Sequence, residues 1–529
     1  MPMKTTSASA LRSVLGRQEE YAFLDVREHG QYGEGHPFFC VNVPYSTIET
    51  RAPVLVPRLS TLCILMDQGD GVAALAYARL EAVGYTNLCI LEGGAPGWAA
   101  AGYTLFKGVN VVSKSFGELV EHALETPSIS AQELRDLQQA GTPLLVLDGR
   151  SPKEFHKMSL PGAQSCPNAE LAYRLPELVS DETTPVVINC AGRTRSIIGA
   201  QSLRNLGLAN PVFALRNGTQ GWRLAGFDLR NGETPATQPA LRPQSEALAR
   251  KRAQDLVRRF KLNQISPAEL AALQADTTRT TYLFDVRTEE EYRAAHWAGA
   301  RHAPGGQLVQ ATDEFLGTRN ARIVLSDDLG LRAAGTAIWL AGMGHEVYLL
   351  VADAREGKDA GAEARPLAAA YPTLALDALP DALAGGARLF DASRGMAYRK
   401  AHVNGARWVT RARLTYEDAG QGPIIVIGQD ADCVSGVIQR LQELGATNIK
   451  GNTSTPQDWV QVGLDVVETT YTPSEEDCID FLFFVHDRHD DNLESARQYL
   501  AWELNLLAQL DDQERGVLVP LMPVTQDVC

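Results

Sequence analysis

Short β-branched and leucine-rich runs read as strands, and they alternate along this chain with segments whose apolar positions fall at helical spacing. One such run, Val186-Val187-Ile188-Asn189, ends at Cys190. A loop of Ala191-Gly192-Arg193-Thr194-Arg195 follows, and from Ser196 the helical pattern begins with Ile197 and Ile198. The order strand, helix, strand, helix, strand, with connections of a few residues, recurs several times. It predicts α/β domains, each a small parallel sheet with helices on both faces.

The recurrence has fixed offsets. Asp148, Pro167 and Gly207 are each followed 137 residues later by Asp285, Pro304 and Gly344, and each preceded by 123 residues by Asp25, Pro44 and Gly84. Every copy carries an Asp at the end of its first strand (Asp25, Asp148, Asp285, Asp391) and an aromatic in the next helical segment (Tyr32, Phe155, Tyr292, Tyr398). Three of the copies place an Arg two residues after that Asp (Arg27, Arg150, Arg287), a spacing that reads as a structural ion pair. Constant offsets mean the same supersecondary order without insertions. Two copies close on a Gly-rich turn with Trp, Gly93-Gly94-Ala95-Pro96-Gly97-Trp98 and Asn217-Gly218-Thr219-Gln220-Gly221-Trp222. Such a turn either borders the strand-end crevice or simply seats its Trp in the core.

Composition narrows the class. The chain has 529 residues, 45% hydrophobic and 21% charged, enough for several domains of ordinary soluble type. A net charge of -15 and the lack of a basic stripe argue against a nucleic-acid partner. No apolar run approaches the ~18 residues needed to span a bilayer, and Met1–Ser7 lacks the apolar core of a signal peptide. The eight cysteines are scattered without a CxxC pair, which fits a reducing, cytoplasmic location.

Cys190 stands apart from the other thiols through its setting. A cysteine between a strand end and a helix start faces unpaired N–H groups and the positive end of the helix dipole. Those groups, with Arg193 and Arg195, are expected to lower its pKa and to attract an anionic substrate. The chemistry implied is a thiolate nucleophile facing an anionic substrate. Arg174, just past the Pro167 turn, is a further candidate substrate contact by position.

These motifs together resemble the rhodanese family of sulfurtransferases. The likeness rests on Asp148-Gly149-Arg150, the Pro161-Gly162-Ala163 turn, the six-residue loop from Cys190 to Arg195, and Asn217-Gly218 to Gly221-Trp222. It implies four tandem rhodanese-like domains, at 8–110, 127–230, 262–353 and 375–468, each with a parallel sheet of about five strands, and a helical C-terminal extension at 469–529. It also implies that Cys190 is the nucleophile and carries a persulfide, and that the loop of Ala191, Gly192, Arg193, Thr194 and Arg195 cradles the substrate, its N–H groups holding negative charge and the two Arg side chains binding a donor's oxygens. The sulfur would pass from a small anionic donor, thiosulfate-like or 3-mercaptopyruvate-like, to cyanide or a thiol, with no cofactor and no metal. The other copies place Asp67, Asp327 and Gly428 where Cys190 sits, so one unit would be active and three degenerate. Cys433 falls at the helix start of the fourth copy, beside Asp430 and Asp432, which oppose a reactive thiol. A sulfur-relay or scaffold protein with little free turnover is the alternative from another class. Phosphatase or arsenate reductase chemistry is disfavoured because Ser196, rather than Arg, stands sixth after Cys190.

Residues 231–245 are Pro-rich and polar and read as a linker, and another boundary falls near 353–375. The segment Ser113–Thr126 has helical spacing and is expected to pack between the first two units. In the tail, His486, Asp487, His489, Asp490 and Asp491 cluster; a solvated acidic turn is the expected reading rather than a metal site. The tail's apolar face, with Tyr499, Leu500, Trp502, Leu504 and Leu507, is expected to pack on a repeat or on a second subunit, the latter making a homodimer.

Overall fold

A computed structural model describes residues 3–362, 366, 368–486 and 492–524. The tail cluster noted above, apart from His486, lies outside these residues. No helix among the described residues is long and apolar enough to cross a membrane.

The second copy shows how the repeat folds. Its five strands are all parallel, in the spatial order Ser128–Ile129, Val212–Leu215, Val186–Asn189, Leu145–Asp148 and Gln164–Ser165. Leu145 and Asp148 face Val186 and Asn189 in register, so both central strands end together and deliver Asp148 and Cys190 to one edge. Helices cover the two faces because the central strands are buried on both sides, as their continuous apolar runs require. The first and third copies repeat this order strand for strand.

The fourth copy departs from the five strands expected. Its parallel sheet has four, in the order Arg407–Trp408, Arg388–Asp391, Ile424–Gly428 and Ile449–Thr453. The outermost strand shrinks to a single bridge between Thr373 and Gly451. Pro372 precedes that bridge, and a proline has no N–H to continue the ladder.

The copies associate out of chain order. One compact unit combines Tyr21–Val109 with Arg365–Phe483, that is, the first and fourth copies. The other combines Asn110–Ala364 with Phe484–Cys529, that is, the second and third copies and the tail. Within the second unit the helix Val111–Leu124 lies on the helix Thr194–Arg204, with Gly117 against Thr194. Residues 231–242 of the stretch read as a linker are irregular, and the helix Pro243–Phe260 then begins with Pro at its first turn.

At the strand ends, Arg27, Arg150 and Arg287 each grip the Asp two residues before them through two guanidinium nitrogens. The pairs are buried, and each Arg also donates to a carbonyl eight residues on, Gly35, Met158 or Ala295, closing the following helix onto the strand. Removing one partner strands the other charge in the interior. Asp285→Ala is therefore expected to cost about 3–5 kcal/mol, read as a lower denaturant midpoint for the second unit.

Candidate functional site

Cys190 leaves the strand Val186–Asn189 at its carboxyl end, and the helix Thr194–Arg204 starts four residues later. The Ser196 hydroxyl donates to Cys190 Sγ at 3.0 Å, and the Ser196 N–H points at the same sulfur. The closing turn holds the loop from the other side. Asn217 and Gly218 are both left-handed (φ 63° and 53°), and a Cβ on Gly218 would lie 2.2 Å from the Cys190 carbonyl oxygen. That close approach lets the Thr219 and Gln220 N–H groups donate to the carbonyls of Cys190 and Ala191. Trp222 is buried and its indole donates to Asp228 O, so the turn borders the loop and also seats its Trp in the core.

The sister loops reveal what this backbone binds. Asp67 occupies the Cys190 position in the first copy, and its carboxylate accepts from the N–H groups of Gly69, Gly71 and Ala73 at 2.8, 3.0 and 2.9 Å. In the third copy Asp327 accepts from Gly330, Arg332 and Ala333 at 2.6, 2.9 and 3.1 Å. Each loop is thus a nest of converging N–H groups around one negative charge. In the second copy a sulfur stands in that place.

The charged neighbours differ from the sequence expectation. Arg195 is paired with Glu154 by two bonds of 2.8 and 2.7 Å. Burial opposes the Glu154 charge, but Arg195 outweighs it and holds the carboxyl well below the usual range. Arg193 turns away to Glu118, at 2.7 and 2.9 Å, and to Glu121, with Asn217 Oδ1 3.3 Å from it. Burial pushes Glu118 up to about 7 despite Arg193, with Glu503 and Glu121 adding to the shift. Both arginines that were expected to await a donor therefore already hold carboxylates.

The thiol itself is a correction. Cys190 is 2% exposed, and burial pushes its pKa above the ordinary 9.0. The Arg195 charge and the Ser196 donors pull it down, and the Glu503 charge pushes it up again. The helix start and one arginine act in the expected sense, but desolvation outweighs them. Cys433 is likewise pushed up, by burial first and then by Asp430.

Ala191, Gly192 and Thr194 line the same buried loop, and the Thr194 hydroxyl donates to Glu503 Oε1 at 3.0 Å. Arg174 is placed elsewhere. It pairs with Glu170 at 2.9 Å, donates to Pro239 O and lies over the Tyr173 ring, in a network with Arg332, Glu291 and Asp328. Sequence reasoning missed Glu118, Glu121, Glu154 and Glu503, which come from three separate helices and carry no local signature. Among the described residues no group of three or more His, Cys, Asp or Glu could hold a metal ion.

The Rhodanese-like domain model matches residues 7–101, 130–225 and 266–356. Over 99% of its length the chain superposes on the whole of a solved structure titled thiosulfate sulfurtransferase from Pseudomonas aeruginosa, at 38% identity and a TM-score of 0.91. A shorter match is the Alr3790 protein from Anabaena sp., at 28% identity over 20% of this chain and 86% of that one, with a TM-score of 0.19. A comparison with curated proteins found no match. With its repeats, its strand-end loops, its matches to the Rhodanese-like domain model and its full-length likeness to that sulfurtransferase, the chain belongs to the rhodanese family.

Proposed function

We propose that this protein is a sulfurtransferase that carries a sulfane sulfur as a persulfide on Cys190. The observation that carries this reading is the loop itself, whose N–H groups hold a carboxylate in two sister copies and which here sets a cysteine sulfur at the same position, under the Ser196 hydroxyl and N–H. A persulfide's terminal sulfur is also an anion, and the same N–H groups suit it. The similarity to a protein named thiosulfate sulfurtransferase supports thiosulfate or a like anion as the donor.

In the first step the Cys190 thiol loses its proton to solvent, and the thiolate attacks the outer sulfur of the donor. A sulfur–sulfur bond forms to Cys190, and the donor's own sulfur–sulfur bond breaks, so that sulfite departs with the electron pair when the donor is thiosulfate. In the second step cyanide or a thiolate attacks the outer persulfide sulfur, and Cys190 leaves as thiolate. No outside oxidant or reductant is needed.

The test incubates the purified chain with thiosulfate, locates the added sulfur by peptide mass, and follows thiocyanate after cyanide is added. A mass gain on the Cys190 peptide with thiocyanate release supports the reading, and an unmodified Cys190 defeats it. The pH dependence is a second check. Because the thiol is pushed above 9.0, persulfide formation should climb about tenfold per pH unit from about pH 6 to 8. A plateau in that window would show a thiol more acidic than its burial allows.

A further inference from the structure

The helix Leu493–Leu504 lies over the Cys190 loop. It begins at Asn492, whose side chain accepts from the Ser495 N–H, and its far end brings Glu503 to the helix start at Thr194. Glu503 is 2% exposed. One carboxylate oxygen accepts from the Thr194 hydroxyl, and the other is buried without a hydrogen-bond partner, 2.9 Å from where a Cβ on Gly192 would stand. Tyr499 flanks Gly192 beside it. Lys114 also clasps the helix, its ammonium lying 4.9 Å from the Trp502 ring and 5.5 Å from the Tyr499 ring.

A buried carboxylate with one oxygen unsatisfied is costly, and it sits where the anion-binding loop would otherwise meet an entering molecule. We propose that the helix Leu493–Leu504 is a lid on this loop and that Glu503 sets which molecules reach Cys190. Its carboxylate stands in for a donor's anion against Thr194, and a small anion enters by displacing it as the helix lifts. The identification of that anion with a sulfur donor rests on the function proposed above; the lid and its charge selection do not.

The test is alkylation of Cys190 in the full chain by iodoacetamide, which is neutral, and by iodoacetate, which is an anion of similar size, with the site of reaction located by peptide mass. Glu503→Gln keeps an oxygen for the Thr194 hydroxyl and removes the charge. It is expected to raise the iodoacetate-to-iodoacetamide rate ratio about tenfold and to lower the KM for thiosulfate. Lys114→Met loosens the clasp and leaves the carboxylate in place, so both reagents should react faster by the same factor. An unchanged ratio in Glu503→Gln, or unchanged rates in Lys114→Met, overturns the proposal. A shifted ratio in a protein that forms no persulfide from thiosulfate supports the lid and defeats the sulfur-transfer reading instead.

Discussion

Replacing Cys190 with alanine is expected to abolish sulfur transfer, reducing thiocyanate formation from thiosulfate and cyanide by at least about 10³-fold. The loop should survive the change, because Gly218, Thr219 and Gln220 hold it through the backbone carbonyls of residues 190 and 191. The loss can therefore be assigned to the missing sulfur rather than to a collapsed site. The measurement is steady-state turnover with peptide mass after donor treatment. Substantial labelling elsewhere in the chain of Cys190→Ala would show that a second copy is chemically competent. The structure argues against this outcome, since two copies place a carboxylate at the position and burial pushes the Cys433 thiol up in the fourth.

Arg195→Met carries the second large effect. The Arg195 charge is the strongest influence drawing the Cys190 pKa down against burial, and its fork neutralises Glu154. Without it the thiol faces an uncompensated carboxylate, and less of it is thiolate at neutral pH. Persulfide formation is expected to fall about 10²–10³-fold near pH 7, of the order seen when one charge-stabilising donor is removed. Its pH profile should move to higher pH, and Arg195→Lys should recover part of the rate, because an ammonium restores the charge but not the two-oxygen grip. Stopped-flow kinetics from pH 6 to 10 would show this, and a rate within about threefold of wild type would remove Arg195 from the mechanism.

Much of the architecture was legible because the repeat fixes its own landmarks. The Asp–Arg strand ends, the Pro turns and the Gly residues at 84, 207 and 344 recur at constant offsets, and each is a local backbone or burial requirement that a sequence states outright. The missing strand of the fourth copy could also have been read, since Pro372 withholds an N–H from it. Which copies pair was not legible, because that depends on surfaces contributed by helices hundreds of residues apart. The same holds for the chemistry of the site. Cys190 and its loop stood out through a strand end, a helix start and two arginines in one short stretch. The carboxylates that claim those arginines come from the helix Val111–Leu124 and from Glu154, and the residue that touches Thr194 comes from the tail. A spacing argument sees charges near in sequence and is blind to partners brought by folding. The expected acidity of the thiol failed because folding buries the sulfur, and that desolvation is likewise invisible to local spacing.

The self-occupied loops of the first and third copies have a bearing on stoichiometry. In both, the side-chain carboxylate of Asp67 or Asp327 already occupies the loop's N–H groups, so neither offers them to a labile atom from outside. Titrating the protein with a donor, followed by cold cyanolysis, should accordingly saturate at a single equivalent per polypeptide, whatever the number of repeats it contains.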